Sequence, residues 1–174
     1  NWIKKCKNLK RNFTFEKEGY KHSSYINPYL FVKELSKILP KESVIVMDGG
    51  VIMNYVMQSF DIKKDQKLIT ASGLDNEGFS FPASIGVYLS TQSKTKQVIC
   101  ICEERSFLNS VFELNTLKKY NINIKIICFS GIAYSALRGT QKDFFGGRFV
   151  ATEFLSNKNT SEYNDTDKRN TPFD

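Results

Sequence analysis

Short apolar runs rich in β-branched residues recur along this chain, each followed by a segment with helical spacing, and that alternation leaves few folds open. The runs SVIVM (43–47) and QVICIC (97–102) are nearly continuous in apolar character, and NINIKIICF (121–129) carries isoleucine at 122, 124, 126 and 127. Strands buried on both faces of a parallel sheet read this way, whereas half-exposed strands alternate. A shorter run lies around 67–70. Between them, Asn27 and Pro28 supply a helix cap and a first-turn proline, and Phe31, Leu35, Ile38 and Leu39 mark one face before Pro40 ends it. Val51, Tyr55 and Ser59 recur one turn apart over 51–60, and further helices are expected over about 82–89 and 107–120. Strand and helix in alternation predict an α/β fold: three layers, α/β/α, around a mostly parallel sheet of about five or six strands with right-handed crossovers.

The charge balance is uneven. Of a formal net charge of +7, five units fall in residues 1–25, where Lys4, Lys5, Lys7, Lys10, Arg11, Lys17 and Lys21 face only Glu16 and Glu18. A basic arm can bind phosphates or anionic lipid, but a solvated linker to an upstream domain is the commoner meaning. The expectation is no nucleic acid and no membrane partner. Residues 1–25 are therefore read as an interdomain arm, 26–156 as the α/β domain, and 157–174, rich in Asn, Thr and Asp, as a disordered tail. Four cysteines occur, and Cys100 and Cys102 should share one face of a strand. With no second pair nearby, buried reduced thiols in a cytoplasmic protein are expected rather than a zinc site.

Ligands of open α/β sheets bind beyond the carboxyl ends of the strands. Four segments follow strands here: Asp48-Gly49-Gly50, the stretch 72–78, Glu103-Glu104-Arg105-Ser106-Phe107, and Ser130-Gly131. Backbone N–H groups at such turns suit an anion, most simply a phosphate. Glycine after a strand is also an ordinary turn, so no segment alone specifies a site.

Order and spacing are more specific. MDGG (47–50), SGLDNEGFSFPASIG (72–86), ERSFLNSVFELNT (104–116) and FFGGRFVAT (144–152) follow one another as the motifs of acetolactate synthase-like, thiamine-diphosphate-dependent enzymes do. Over 27–152 the chain resembles the C-terminal domain of that family. The resemblance implies thiamine diphosphate and Mg2+ as cofactors, with Gly49, Gly50, Gly73, Leu74, Ser106 and Phe107 around the cofactor and Glu104 on the metal. It implies no catalytic residue in this chain, because the activating glutamate of the family lies on another domain, across a subunit interface. An upstream domain and a second copy of the chain are the partners implied.

The chain also departs from the family pattern. Glu103-Glu104-Arg105 stands where Gly-Asp-Gly is expected, so the metal carboxylate is one methylene longer and two glycines carry side chains. The second side-chain ligand of the metal falls on Gly131, which has none. Glu77 replaces an apolar wedge beneath the cofactor. Arg105 then either pairs with a phosphate directly or pairs with Glu103 or Glu104. The fragment alone is expected to bind cofactor weakly, with little gain from magnesium. The functional expectation is a diphosphate-binding domain of the 2-oxo acid decarboxylation and carboligation class, inactive alone. The alternative is a cofactor-free structural or assembly module in sugar or polysaccharide biosynthesis.

Remaining candidates are weaker. His22, the only histidine, lies in the basic arm, so no His-based triad is available. Ser106 reads equally as a helix N-cap, Gly146-Gly147-Arg148 as a turn with a surface arginine, and Glu113 as a packing or interface position.

Overall fold

A computed structural model describes residues 1–12, 26–74, 76–90, 97–130 and 135–152. The expected arm contains a helix, α1 (Trp2–Asn12); His22 lies outside the described residues, as does the segment assigned to the tail. The α/β body runs α2 (Pro28–Ile38), β1 (Val44–Met47), α3 (Gly50–Ser59), β2 (Lys67–Thr70), α4 (Ser80–Ser90), β3 (Val98–Glu103), α5 (Glu104–Asn109), α6 (Glu113–Tyr120) and β4 (Ile124–Phe129).

Local sequence explains where these elements start and stop. The Asn27 side chain accepts from the amides of Tyr29 at 2.9 Å and Leu30 at 3.2 Å, capping α2; such a cap contributes about 1 kcal/mol. At its other end, Lys63 Nζ donates to the carbonyls of Lys37 and Leu39, satisfying acceptors that the last helical turn leaves open. Asn121, with φ of 51°, ends α6 in the left-handed conformation that asparagine tolerates.

The sheet is parallel throughout, in the order β2-β1-β3-β4, with four strands among the described residues rather than five or six. Side chains alternate strictly between its faces. Ile45, Met47, Ile99 and Ile101 meet α2 and α3 through Val32, Leu35, Ile52, Tyr55 and Val56. Val44, Val46, Val98, Cys100 and Cys102 point the other way, toward Phe81 and Ile85 of α4 and Leu117 of α6. Three layers result, as the element order predicts. Each fully buried Val, Ile or Phe contributes roughly 1.5–3 kcal/mol of transfer free energy, which makes the two interfaces the main source of stability.

The chain reverses direction across the sheet. It moves outward from β1 to β2, then crosses back to β3 and continues to β4. Right-handed crossovers require α3 and α4 to lie on opposite faces when direction reverses. They do.

Cys100 and Cys102 share the α4 face and are buried, and all four cysteines are free thiols. Among the described residues, no helix is long and apolar enough to cross a membrane. The described residues 135–152 belong to a separate compact unit. Within it, α7 (Ser135–Phe144) is closed by the Gly147 amide donating to the Gln141 carbonyl. The Arg138 guanidinium stacks on Phe149 and donates to the Thr152 carbonyl at 3.0 Å. Gly146-Gly147-Arg148 is thus the turn ending a helix, with Arg148 exposed.

Candidate functional site

Because all four strands are parallel, the segments following them emerge on one edge of the sheet. The reversal of direction falls between β1 and β3, which are hydrogen-bonded neighbours. Connections leaving two adjacent strands in opposite directions open a crevice at their carboxyl ends, where α/β proteins bind ligands. Asp48-Gly49-Gly50 lies there after β1 and Glu103-Glu104-Arg105 after β3.

Asp48 is 2% exposed. Its Oδ1 accepts from the amide of Ser80, the first residue of α4, at 2.8 Å. Burial holds its pKa above the ordinary carboxylate value, partly offset by the Ser80 amide and hydroxyl, the Ser106 hydroxyl and the Phe79 amide. Its Oδ2 accepts no hydrogen bond of standard geometry. Asp48 therefore works inside the fold: it gives a helix N-terminus a negative partner and pins the start of α4 to the end of β1.

A second set of contacts ties the turn before α4 to α5. The Gly78 amide donates to Ser106 Oγ at 2.7 Å. Gly78 has φ of +85°, and a Cβ there would lie 3.2 Å from Asn109 Cβ and 3.4 Å from the Ser106 carbonyl oxygen, so only glycine fits. Beside it, Arg105 Nε and Glu77 Oε2 form an ion pair at 3.3 Å, with 39% and 43% of their side-chain surfaces exposed. The sequence offered Glu103, Glu104 or a phosphate as the partner of Arg105. In the structure its ion-pair partner is Glu77, brought over by the β2-to-α4 connection.

The other sequence-selected residues fall as follows. β3 passes into α5 with no intervening turn, so Glu103 is the helix N-cap and Glu104 its first residue. Ser106, expected as a possible N-cap, lies inside α5 and is buried. Phe107 packs on Phe81 with ring centroids 5.3 Å apart. Glu104 Oε2 accepts from Ser130 Oγ at 2.9 Å. Gly50 opens α3 at φ +61°, and a Cβ there would meet nothing within 4 Å. Gly73 and Leu74 form a single exposed 3-10 turn after β2. Gly131 lies outside the described residues. Glu113 begins α6, and its Oε2 accepts from Thr116 Oγ1 at 2.8 Å.

Residues 48–165 match the family model of the thiamine pyrophosphate enzyme C-terminal TPP binding domain. The chain belongs to this family. Among curated relatives of this TPP-binding domain, the acetolactate synthase isozyme 2 large subunit of Escherichia coli K12 is 28% identical over 158 residues, covering 90% of the chain and 28% of that protein. The acetolactate synthase large subunit of Lactococcus lactis is 29% identical over 148 residues, covering 85% and 25%. The chain spans about a quarter of the length of these relatives. The thiamine diphosphate-dependent 4-hydroxybenzoylformate decarboxylase of Rhodococcus jostii RHA1 shares the fold, with a TM-score of 0.66 at 21% identity over 75% of the chain and 24% of that structure.

The crevice of this TPP-binding domain suits the two halves of a metal diphosphate unequally. The open backbone at Gly50 and Gly73 leaves room for phosphate oxygens to approach, and Arg105 is a bidentate phosphate donor by nature. Magnesium requires several hard oxygen ligands in a tight octahedron. No three Asp, Glu, His or Cys side chains gather as a metal site among the described residues. Glu104 is engaged by Ser130, and the neighbouring residue is a cation. Among the described residues, the crevice offers a diphosphate glycine backbone and a guanidinium, but offers Mg2+ a single carboxylate, Glu104, already engaged by Ser130.

Proposed function

We propose that this chain is the diphosphate-holding part of a longer acetolactate synthase-like protein of the 2-oxo acid decarboxylation and carboligation class, and that alone it turns over nothing. The observation behind this reading is the switch point between β1 and β3, where the Gly49-Gly50 backbone follows one strand and Arg105 follows the other. Bound thiamine diphosphate supplies the nucleophilic carbon for such chemistry; this chain's residues bind and orient its diphosphate end. Gly49 and Gly50 at the start of α3, Gly73 and Leu74 after β2, and the backbone of Ser106 and Phe107 in α5 are the contacts. Backbone at helix starts carries partial positive charge that favours an anion; of these residues, the Leu74 amide already donates to the Ala71 carbonyl.

Among the described residues, no side chain in the crevice is suited to activate the cofactor. Asp48 is committed to α4, and hydrogen bonding with Cys100 together with burial pushes the Cys102 thiol far above its ordinary value. Activation then belongs to an upstream domain of the same protein, met across an interface with a second copy. A cytoplasmic setting accords with four free thiols.

Titration of thiamine diphosphate into the chain, with and without magnesium, tests the reading together with an assay for carbon dioxide release from pyruvate. Weak binding that magnesium barely improves, and no release of carbon dioxide, is expected. Micromolar, magnesium-dependent affinity would overturn the metal part, and turnover by the chain alone would overturn the division of labour.

A further inference from the structure

Two positions set this crevice apart, Glu77 in the turn before α4 and Arg105 in the first turn of α5, and the structure brings them together. Each alone would be awkward: a carboxylate facing an anion site, and a guanidinium where the chain enters a helix whose start already favours negative charge. Together they neutralise one another. The pair lies on the same seam as the hydrogen bond from the Gly78 amide to Ser106 Oγ and the packing of Phe81 on Phe107.

We propose that Glu77 is a built-in competitor for Arg105: the ion pair latches the crevice, and a diphosphate opens it by taking the guanidinium from Glu77. The inference rests on the diphosphate-binding reading above and adds the way that binding is controlled. Its physical basis is the modest strength of the pair. Both side chains are more than a third exposed, and exposed pairs of this kind contribute about 0.2–1 kcal/mol. A diphosphate carries more charge than one carboxylate and accepts both prongs of the arginine fork, so it wins the exchange. No metal is needed in this exchange, because the arginine supplies the positive charge. Glu77 sets the threshold: anions that bind less strongly than the carboxylate leave the latch shut.

The test uses inorganic pyrophosphate as probe, titrated calorimetrically in the presence of EDTA into the full chain and three variants. Glu77→Gln removes the competitor and keeps the shape; Arg105→Gln removes the charged donor that holds the anion. Glu34→Gln removes the same charge from α2, where Glu34 pairs with Lys37 on the protein surface, and controls for net charge. The expected result is about fivefold tighter pyrophosphate binding by Glu77→Gln, the equivalent of about 1 kcal/mol. Arg105→Gln should bind at least about tenfold more weakly, and Glu34→Gln should match the wild type. The gain in Glu77→Gln should shrink as salt rises, since exposed charges are screened. Equal affinity in wild type and Glu77→Gln, undiminished binding by Arg105→Gln, or no pyrophosphate binding at all overturns the latch. Thiamine diphosphate with magnesium, titrated in parallel, separates the two readings. Should Arg105→Gln bind that cofactor as well as wild type does, the latch falls and the cofactor reading stands. Should pyrophosphate switch as expected while no variant binds thiamine diphosphate, the latch stands and the cofactor reading falls.

Discussion

A carboxylate taken out of water at the end of β1 has to be compensated, and at Asp48 its hydrogen bonds offset burial only in part. Its pKa in the folded chain is raised, with burial as the largest cause, so the sign of its pH effect is fixed. Below the unfolded value of 3.8 the group is neutral in both states, and stability is unaffected by its titration. Above it, the unfolded chain ionises first, and stability falls until pH passes the folded value. Asp48→Asn cannot ionise and keeps an acceptor for the Ser80 amide. The stability of the variant relative to wild type should therefore improve between about pH 3 and about pH 7, read as urea midpoints; a difference that stays constant or moves the other way would refute this account. Little of this was legible in the sequence, where Asp48 was one member of a glycine turn. The ion pair of Glu77 with Arg105 was hidden for a related reason. Both charges were conspicuous, but they meet only because β3 lies beside β1 and the turn before α4 folds over it.

At the scale of elements, apolar runs and caps placed β1, β3 and β4 to within a few residues, because burial on both faces leaves no other reading of SVIVM or QVICIC. The break between α5 and α6 was not legible. Residues 110–112 carry no glycine or proline, and the interruption is made by hydrogen bonds such as Ser110 N–H to the Phe107 carbonyl. The absence of a turn between β3 and α5 was equally silent, and it bears on the metal. If helix begins at Glu104 because Glu103 and Arg105 replaced flexible residues, restoring them should rebuild the site. The combined variant Glu103→Gly, Glu104→Asp, Arg105→Gly and Gly131→Asn should bind thiamine diphosphate with magnesium at a Kd of about 10 μM, or roughly 7 kcal/mol. At a hundredfold excess over Kd this appears as about 2.7 kcal/mol of magnesium-dependent stabilisation. Ligands of one ion act together, so the single changes should do little. A folded combined variant that ignores metal and cofactor would mean either that the ligand positions are wrongly assigned or that Glu77 is the block, and adding Glu77→Met separates the two.

At the scale of the molecule, the α4, α5 and α6 side of the body keeps large apolar side chains in water: Leu89, Leu108, Leu114 and, at 81% exposure, Phe112. We propose that assembly with a second copy uses these helices, which follow Gly78 or, in α5, contain Ser106. Exposed apolar surface of this kind marks interaction sites when it is contiguous. Light scattering at rising concentration should show a dimer for the wild-type chain, and Phe112→Asp should move the population toward monomer without lowering thermal stability. A strict monomer at all concentrations would count against the assembly.

The strand order has a consequence in time. β1 is buried along its whole length, yet one of its two neighbours, β3, is synthesised only after β2 and α4 are complete. Parallel pairing across such a separation is slow to form, because chain must be ordered before any contact rewards it. While the ribosome adds the residues between 47 and 98, the nascent chain carries a hydrophobic strand with an open edge. An arrest of translation in that interval leaves a half-built sheet with a sticky border, the kind of species that chaperones hold and that aggregates when they do not.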